Sequence, residues 1–226
     1  MAVEDFTTYT EVDTAGYLTV DTTTVVSELP GATAAYVYKD FGADYFSGNY
    51  SIEFTFYEDG LGAHLHVFTP ILLANNVASY GSITEGQGFS VSLTTITLFD
   101  RVGGSIVASD TSVLGFTPDA FTYYKLERVG DTLSLYCYSD ITLTTLLDTL
   151  SITVDGDTGY RYLYPYNHDP SGASTLLVQT MDYELTVTPT EEDDNFISVE
   201  DLPKSSKQIS SKLTSSKQIS SKFTCN

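Results

Sequence analysis

Residues 50–58, YSIEFTFYE, set Tyr50, Ile52, Phe54 and Phe56 at every second position, with Ser51, Glu53, Thr55 and Tyr57 between them. A period of two sends alternate side chains to opposite faces of an extended chain, so the stretch predicts a strand buried on one side. The same alternation recurs in YYKLERVGDTLSLYCYSD, residues 123–140, where Tyr124 and Leu126 precede Gly130-Asp131 and Leu133, Leu135 and Cys137 follow it. Two alternating runs hinged on Gly-Asp predict an antiparallel hairpin. Leu126, Leu133 and Leu135 are then expected to hold two layers together, and Arg128 to support the turn. Further runs follow (GAHLHVFTP, GFSVSLTTITLFD, GSIVASD, LLDTLSITVD, GYRYLYPY and STLLVQTMDYELTVTP), separated by Gly, Asp, Asn and Pro clusters. No segment keeps a helical apolar stripe for more than two turns. About a dozen short strands with tight turns predict an all-β, two-sheet antiparallel jelly-roll sandwich.

Composition narrows this picture. A chain of 226 residues that is 42% hydrophobic can bury one sizeable core, and residues 1–190 are expected to form that one domain. Near Pro189 the pattern breaks. Residues 191–203 read as an acidic linker, with six acids and no base in EEDDNFISVED, while residues 204–226 carry five lysines and no acid. Before position 191 there are 24 acidic and five basic residues, within a total formal charge of -20. That charge repels nucleic acid and anionic membranes, so neither is an expected partner. The tail is a tandem duplication, SSKQISSKLT followed by SSKQISSKFT. It is open to two readings: a disordered low-complexity extension, or an assembly arm whose Ile209, Leu213, Ile219 and Phe223 dock on a partner while its lysines meet an acidic neighbour. The N-terminal MAVEDFTTYTEVD has neither the basic nor the apolar run of a secretory signal, and no stretch has the roughly 18 apolar residues that span a bilayer. Cys137 and Cys225 are too few for a disulfide framework and read as a buried hydrophobe and a tail thiol.

Candidate chemistry is sparse. His64 and His66 lie two apart on one side of a strand, a spacing that suits one metal, with His168 and Asp169 as further donors; half-buried structural histidines are the alternative. Asp155 and Asp157 in VDGDTGY resemble the start of a calcium loop without its later ligands, so a turn is expected, and no cofactor follows, calcium included. No nucleophile elbow or triad is evident, and Glu53 and Glu58 fall on opposite faces of one strand rather than flanking a glycosidic bond. The chain is therefore not expected to be an enzyme. It has 17 Tyr, 12 Phe and no Trp, and Tyr160, Tyr162, Tyr164 and Tyr166 alternate along GYRYLYPYN. A tyrosine ring can stack on sugar C–H groups while its hydroxyl hydrogen-bonds. This stripe is expected to share one face, either as core edge or as a glycan-binding surface.

The hairpin at 123–140, with DFTTYTEVD, AAYVYKDFGADYFSGNYSIEF, YSDITLTTLLDTLSITV and YRYLYPYN in order across residues 5–188, resembles concanavalin A-like and laminin-G-like sandwich domains of the lectin and glucanase superfamily. The resemblance is to a subgroup common in bacteriophage sequences. It implies a jelly roll on which many relatives bind carbohydrate, and it does not carry over the hydrolase carboxylate cluster, which this chain lacks. The function it implies is a non-enzymatic phage virion protein, a capsid decoration or tail-associated part. Such a protein would be made in the host cytoplasm, display a lectin-like domain to cell-surface or mucus glycans, and have other virion proteins or copies of itself as partners. The alternative is a carbohydrate-binding module or adhesin of a bacterial surface protein.

Overall fold

A computed structural model describes residues 2–30, 34–58, 68–92, 95–113, 120–168 and 175–187. Close packing divides the chain into Met1–Thr190 and Glu191–Asn226. The second unit, which holds Ile209, Leu213, Ile219 and Phe223, lies outside the described residues, as do His64, His66, Asp169 and Cys225.

The strands are β1 (Ala2–Val3), β2 (Thr10–Val12), β3 (Leu18–Val20), β4 (Thr24–Pro30), β5 (Tyr36–Asp40), β6 (Tyr50–Glu58), β7 (Phe68–Ala74), β8 (Gly86–Ser92), β9 (Thr95–Val102), β10 (Ser105–Ser112), β11 (Phe121–Val129), β12 (Thr132–Tyr138), β13 (Leu146–Thr153), β14 (Tyr162–His168) and β15 (Thr175–Val187). They pair into two antiparallel sheets. One is eight-stranded in the order β13-β12-β11-β6-β15-β4-β3, with β1 also on β15, and the other runs β10-β9-β8-β7-β14-β5-β2. This is the all-β, two-sheet jelly roll that the alternation predicts.

The core lies between the sheets and follows the period of two. Tyr50, Ile52, Phe54 and Phe56 of β6 are buried there, with Tyr124 and Leu126 of β11, Leu133 and Leu135 of β12, and Ile71, Leu73, Phe89 and Leu98 of the facing sheet. The rings of Phe54, Phe89 and Tyr124 meet at centroid distances of 5.2–5.7 Å and join the two layers. Cys137 is a buried member of this core, and burial pushes its thiol up to about 12, which leaves it in the unreactive protonated form.

The hairpin of β11 and β12 forms in the expected register, with Val129 opposite Thr132 and Gly130 at φ 56°, a left-handed conformation that glycine adopts without penalty. Arg128 does something other than support that turn. Its side chain is fully buried and donates to three carbonyls on other segments: Phe46 O at 2.7 Å, Gly48 O at 2.9 Å and Thr158 O at 2.7 Å. The turn is tied instead by the Gly130 N–H, which donates to Asn49 Oδ1. At one edge of the two sheets, β10 and β13 are joined by hydrogen bonds that involve their side chains. Ser112 donates to the Asp148 carboxylate, and the Ser151 N–H donates to Asp110 Oδ2 at 3.0 Å.

Candidate functional site

Tyrosines gather on the outer face of the seven-stranded sheet, through two neighbouring strands. In β5 Val37 points into the core, so Tyr36 and Tyr38 point out; in β14 Leu163 points in, so Tyr162 and Tyr164 point out. Pairing of β14 with β5 brings the four rings together, with Tyr38 5.8 Å from Tyr162 and 5.7 Å from Tyr164, and Tyr36 6.0 Å from Tyr164.

The expectation that Tyr160, Tyr162, Tyr164 and Tyr166 share one face is therefore corrected. Between Leu163 and Tyr166 the register against β5 shifts, at the point where Pro165 has no N–H to offer the ladder. The irregularity turns Tyr166 inward, where its hydroxyl accepts from Ser27 Oγ at 2.9 Å. Tyr160 precedes the strand and is also in the core, its hydroxyl donating to Asp100 Oδ1 at 3.4 Å. Burial raises both phenols above their ordinary value, so both stay neutral structural groups.

Tyr164 is outward but covered. The segment 75–85 folds back over the sheet and packs Ala78, Tyr80 and Ile83 against Leu72, Ala74, Phe99 and Tyr164. Tyr164 is the post that holds it: its hydroxyl donates to Asn76 O at 2.9 Å and accepts from the Ala78 N–H at 3.3 Å. Asn167 Nδ2 donates to Ala78 O at 3.0 Å, and Arg101 Nη1 donates to Tyr80 O at 2.5 Å with its guanidinium 4.4 Å from the Tyr80 ring centroid. Tyr36, Tyr38 and Tyr162 pack against this cluster and remain only half-buried. Burial and the neighbouring Tyr38 raise the Tyr36 phenol, so it too presents a neutral hydroxyl.

A polar pair borders these rings. Asp40, opposite Tyr162 in the register, accepts Arg161 Nε at 2.8 Å and Nη2 at 2.6 Å, and takes the Gly42 N–H at 2.8 Å. The Arg161 hydrogen bonds and the Gly42 N–H hold the Asp40 carboxyl below its ordinary range. Arg161 sits 5.2 Å from the Tyr162 ring centroid. The site thus offers apolar ring faces, guanidinium donors and a carboxylate acceptor side by side. Of its members, only Tyr162 is singled out by the alternation in GYRYLYPYN. Tyr36, Tyr38 and Asp40 also alternate, in AAYVYKD, but nothing local shows that this run lies against β14.

The other candidates stay apart. His168 is buried at the end of β14, and among the described residues no three His, Cys, Asp or Glu side chains are placed to hold a metal ion, Ca2+ included. Asp155 caps a tight turn, accepting the Asp157 N–H at 3.0 Å, as expected for VDGDTGY. Glu53 lies on the outer face of the eight-stranded sheet opposite Lys125, while the Glu58 side chain is outside the described residues.

No protein-family model and no curated protein matches the sequence. Solved structures do match the fold. The legume lectin-like domain from Entamoeba histolytica superposes with a TM-score of 0.58 at 8% identity, over 80% of this chain and 90% of that one. The VIP36 exoplasmic/lumenal domain, in a Ca2+/Man3GlcNAc-bound form, gives 0.50 at 10% identity, over 81% of this chain and 86% of that one. A functionally unknown protein from Saccharomyces cerevisiae gives 0.54 at 13% identity, over 82% and 99%. At such identities the likeness establishes the fold, a concanavalin A-like, lectin-like jelly roll.

Proposed function

We propose that this is a non-enzymatic glycan-binding domain, and that sugar is held on the outer face of the seven-stranded sheet against Tyr36, Tyr38 and Tyr162. The observation that carries the reading is the trio of half-buried rings bordered by the Arg161–Asp40 pair, on a fold shared with a domain captured with an oligosaccharide. Ring faces take the C–H side of a pyranose, while Arg161 donates to its hydroxyl oxygens and Asp40 accepts from its hydroxyl hydrogens. Tyr160 and Tyr166 have no part in it, and Tyr164 acts only by holding the cover. Glycan-array binding by the intact chain, weakened by Tyr38→Ala or Tyr162→Ala with the fold retained, is the expected result. If a sugar on a ring is worth what a stacked nucleobase is, about 1–3 kcal/mol, the loss of affinity at this face is roughly 5- to 150-fold per variant. A blank array with the intact chain overturns the reading.

The biological setting we propose is a bacteriophage virion, with the domain displayed on capsid or tail. Support comes from the sequence alone: the ordered resemblance across residues 5–188 to a phage-rich subgroup, and the appended Lys/Ser repeat. Many copies on one particle would turn weak glycan contacts into firm attachment. Mass spectrometry of purified particles is expected to find the chain at structural stoichiometry; its absence from them removes the virion setting and leaves the binding reading untouched.

A further inference from the structure

The glycan face uses a particular constellation: a cation over a tyrosine ring, paired with a carboxylate, beside a second tyrosine. The same constellation recurs on the outer face of the other sheet. In β11 Tyr124 and Leu126 point into the core, which turns Tyr123, Lys125 and Glu127 outward. Lys125 Nζ lies 2.7 Å from Glu127 Oε1 and 5.8 Å from the ring centroid of Tyr136 on β12. Lys125 also stands opposite Glu53 of β6, and Tyr123 stands opposite Tyr138 of β12. All six side chains are half-buried, so ring faces and charged tips are both within reach of solvent.

We infer that this face is a second glycan site, so that one chain carries two sugar-binding faces on opposite sides of the sandwich. The inference rests on the proposed function for the chemistry of its ligand. Charge selects the occupant. With 24 acidic and five basic residues before position 191, a polyanion is repelled. Lys125 faces two carboxylates, Glu127 and Glu53, so no unmatched cation remains on this face to draw an anionic partner. An uncharged polyol fits what is left: its hydroxyl oxygens accept from Lys125, its hydroxyl hydrogens donate to Glu53 and Glu127, and its C–H faces lie on Tyr123 and Tyr136. A single chain would then bridge two glycan strands without oligomerising.

The test is a nitrogen-15 amide titration of the full chain with cellotetraose, mannotriose and N-acetyllactosamine, each alone. The expected result is that a binding sugar moves two separate sets of amides, one around residues 36–40 and 160–164, the other around 51–57 and 121–138. Tyr123→Ala with Tyr136→Ala weakens the second set by about tenfold or more while leaving the first in place. Tyr136→Phe, which keeps the ring, controls for folding and retains most of the second response. The inference is overturned if a sugar moves the first set alone. It is also overturned if the second face proves to hold another copy of the chain, seen as a dimer in sedimentation that Tyr123→Ala with Tyr136→Ala dissociates. Shifts confined to the second set overturn the proposed first site and leave this one standing. Silence at both sets with all three sugars overturns both.

Discussion

Two buried charged residues carry more of this fold than their number suggests. Arg128 has no carboxylate opposite it in its hydrogen bonds; it satisfies the carbonyls of Phe46, Gly48 and Thr158 and lies 4.9 Å from the Tyr50 ring centroid. Each buried carbonyl left without a donor costs about 1–3 kcal/mol, so Arg128→Met is expected to lower stability by roughly 3 kcal/mol or more, read from urea unfolding. A change below about 1 kcal/mol would mean that water replaces those bonds freely. Asp100 acts in the opposite sense. It is 5% exposed, and burial raises its carboxyl above the ordinary value despite the hydrogen bond from the Tyr160 hydroxyl and the Gln87 side chain beside it. A raised folded-state pKa means that the folded protein binds the proton more tightly. This contribution to stability is full below the unfolded value of 3.8 and is lost as pH rises through the folded value. Asp100→Asn, which keeps the shape and an acceptor, is therefore expected to be more stable than the natural chain at pH 7. That margin should shrink as the pH falls toward 3.8, in paired thermal melts. A margin that grows on acidification would reverse the assignment.

Among the strands, alternation was a reliable guide wherever it ran unbroken. The bounds of β6 and its four inward residues, and the register of the β11–β12 hairpin, are legible because each depends on neighbours within one run. The tyrosine run of β14 failed as a guide because a register shift at Pro165 exchanges faces, and no period read from sequence registers a bulge. The site stayed hidden for a second reason. Tyr38 and Tyr162 come together only through long-range pairing of β5 with β14, and Tyr164 is removed from the surface only because segment 75–85 crosses it. On the sheet that carries this cover, β7 and β8 approach each other closely. A Cβ at Gly88 of β8 would stand 2.3 Å from Ile71 O of β7, so the two backbones meet where only glycine fits. Gly88→Ala is expected to cost about 1–3 kcal/mol by forcing these strands apart, and to raise amide exchange across residues 75–85. Unchanged exchange there would show that the cover is held by Arg101 and Asn167 without help from the strand beneath.

For the whole molecule, the balance between attraction and repulsion among charges is lopsided. The ion pairs formed among the described residues are Lys39–Glu4, Lys125–Glu127 and Arg161–Asp40, all partly exposed. Pairs of that kind contribute about 0–1 kcal/mol each, and salt weakens them. Against them stands the mutual repulsion of the remaining acids, in a body with 24 acidic and five basic residues before position 191. The repulsion acts over distances comparable with a small domain when the Debye length is about 30 Å, near 0.01 M salt, and is cut to about 10 Å at 0.1 M. Because unlike pairs are few and like neighbours many, screening removes more repulsion than attraction. The urea midpoint is therefore expected to rise between about 0.01 M and 0.1 M sodium chloride, steeply at first and then level as the screening length falls below the spacing of surface carboxylates. A midpoint that falls with salt would mean that the three ion pairs outweigh the excess acids. The same field bears on function. Uncharged glycans approach either sheet face without electrostatic cost, so their affinity is expected to be nearly independent of salt over this range, whereas binding that drops steeply with added salt would point to a charged ligand instead.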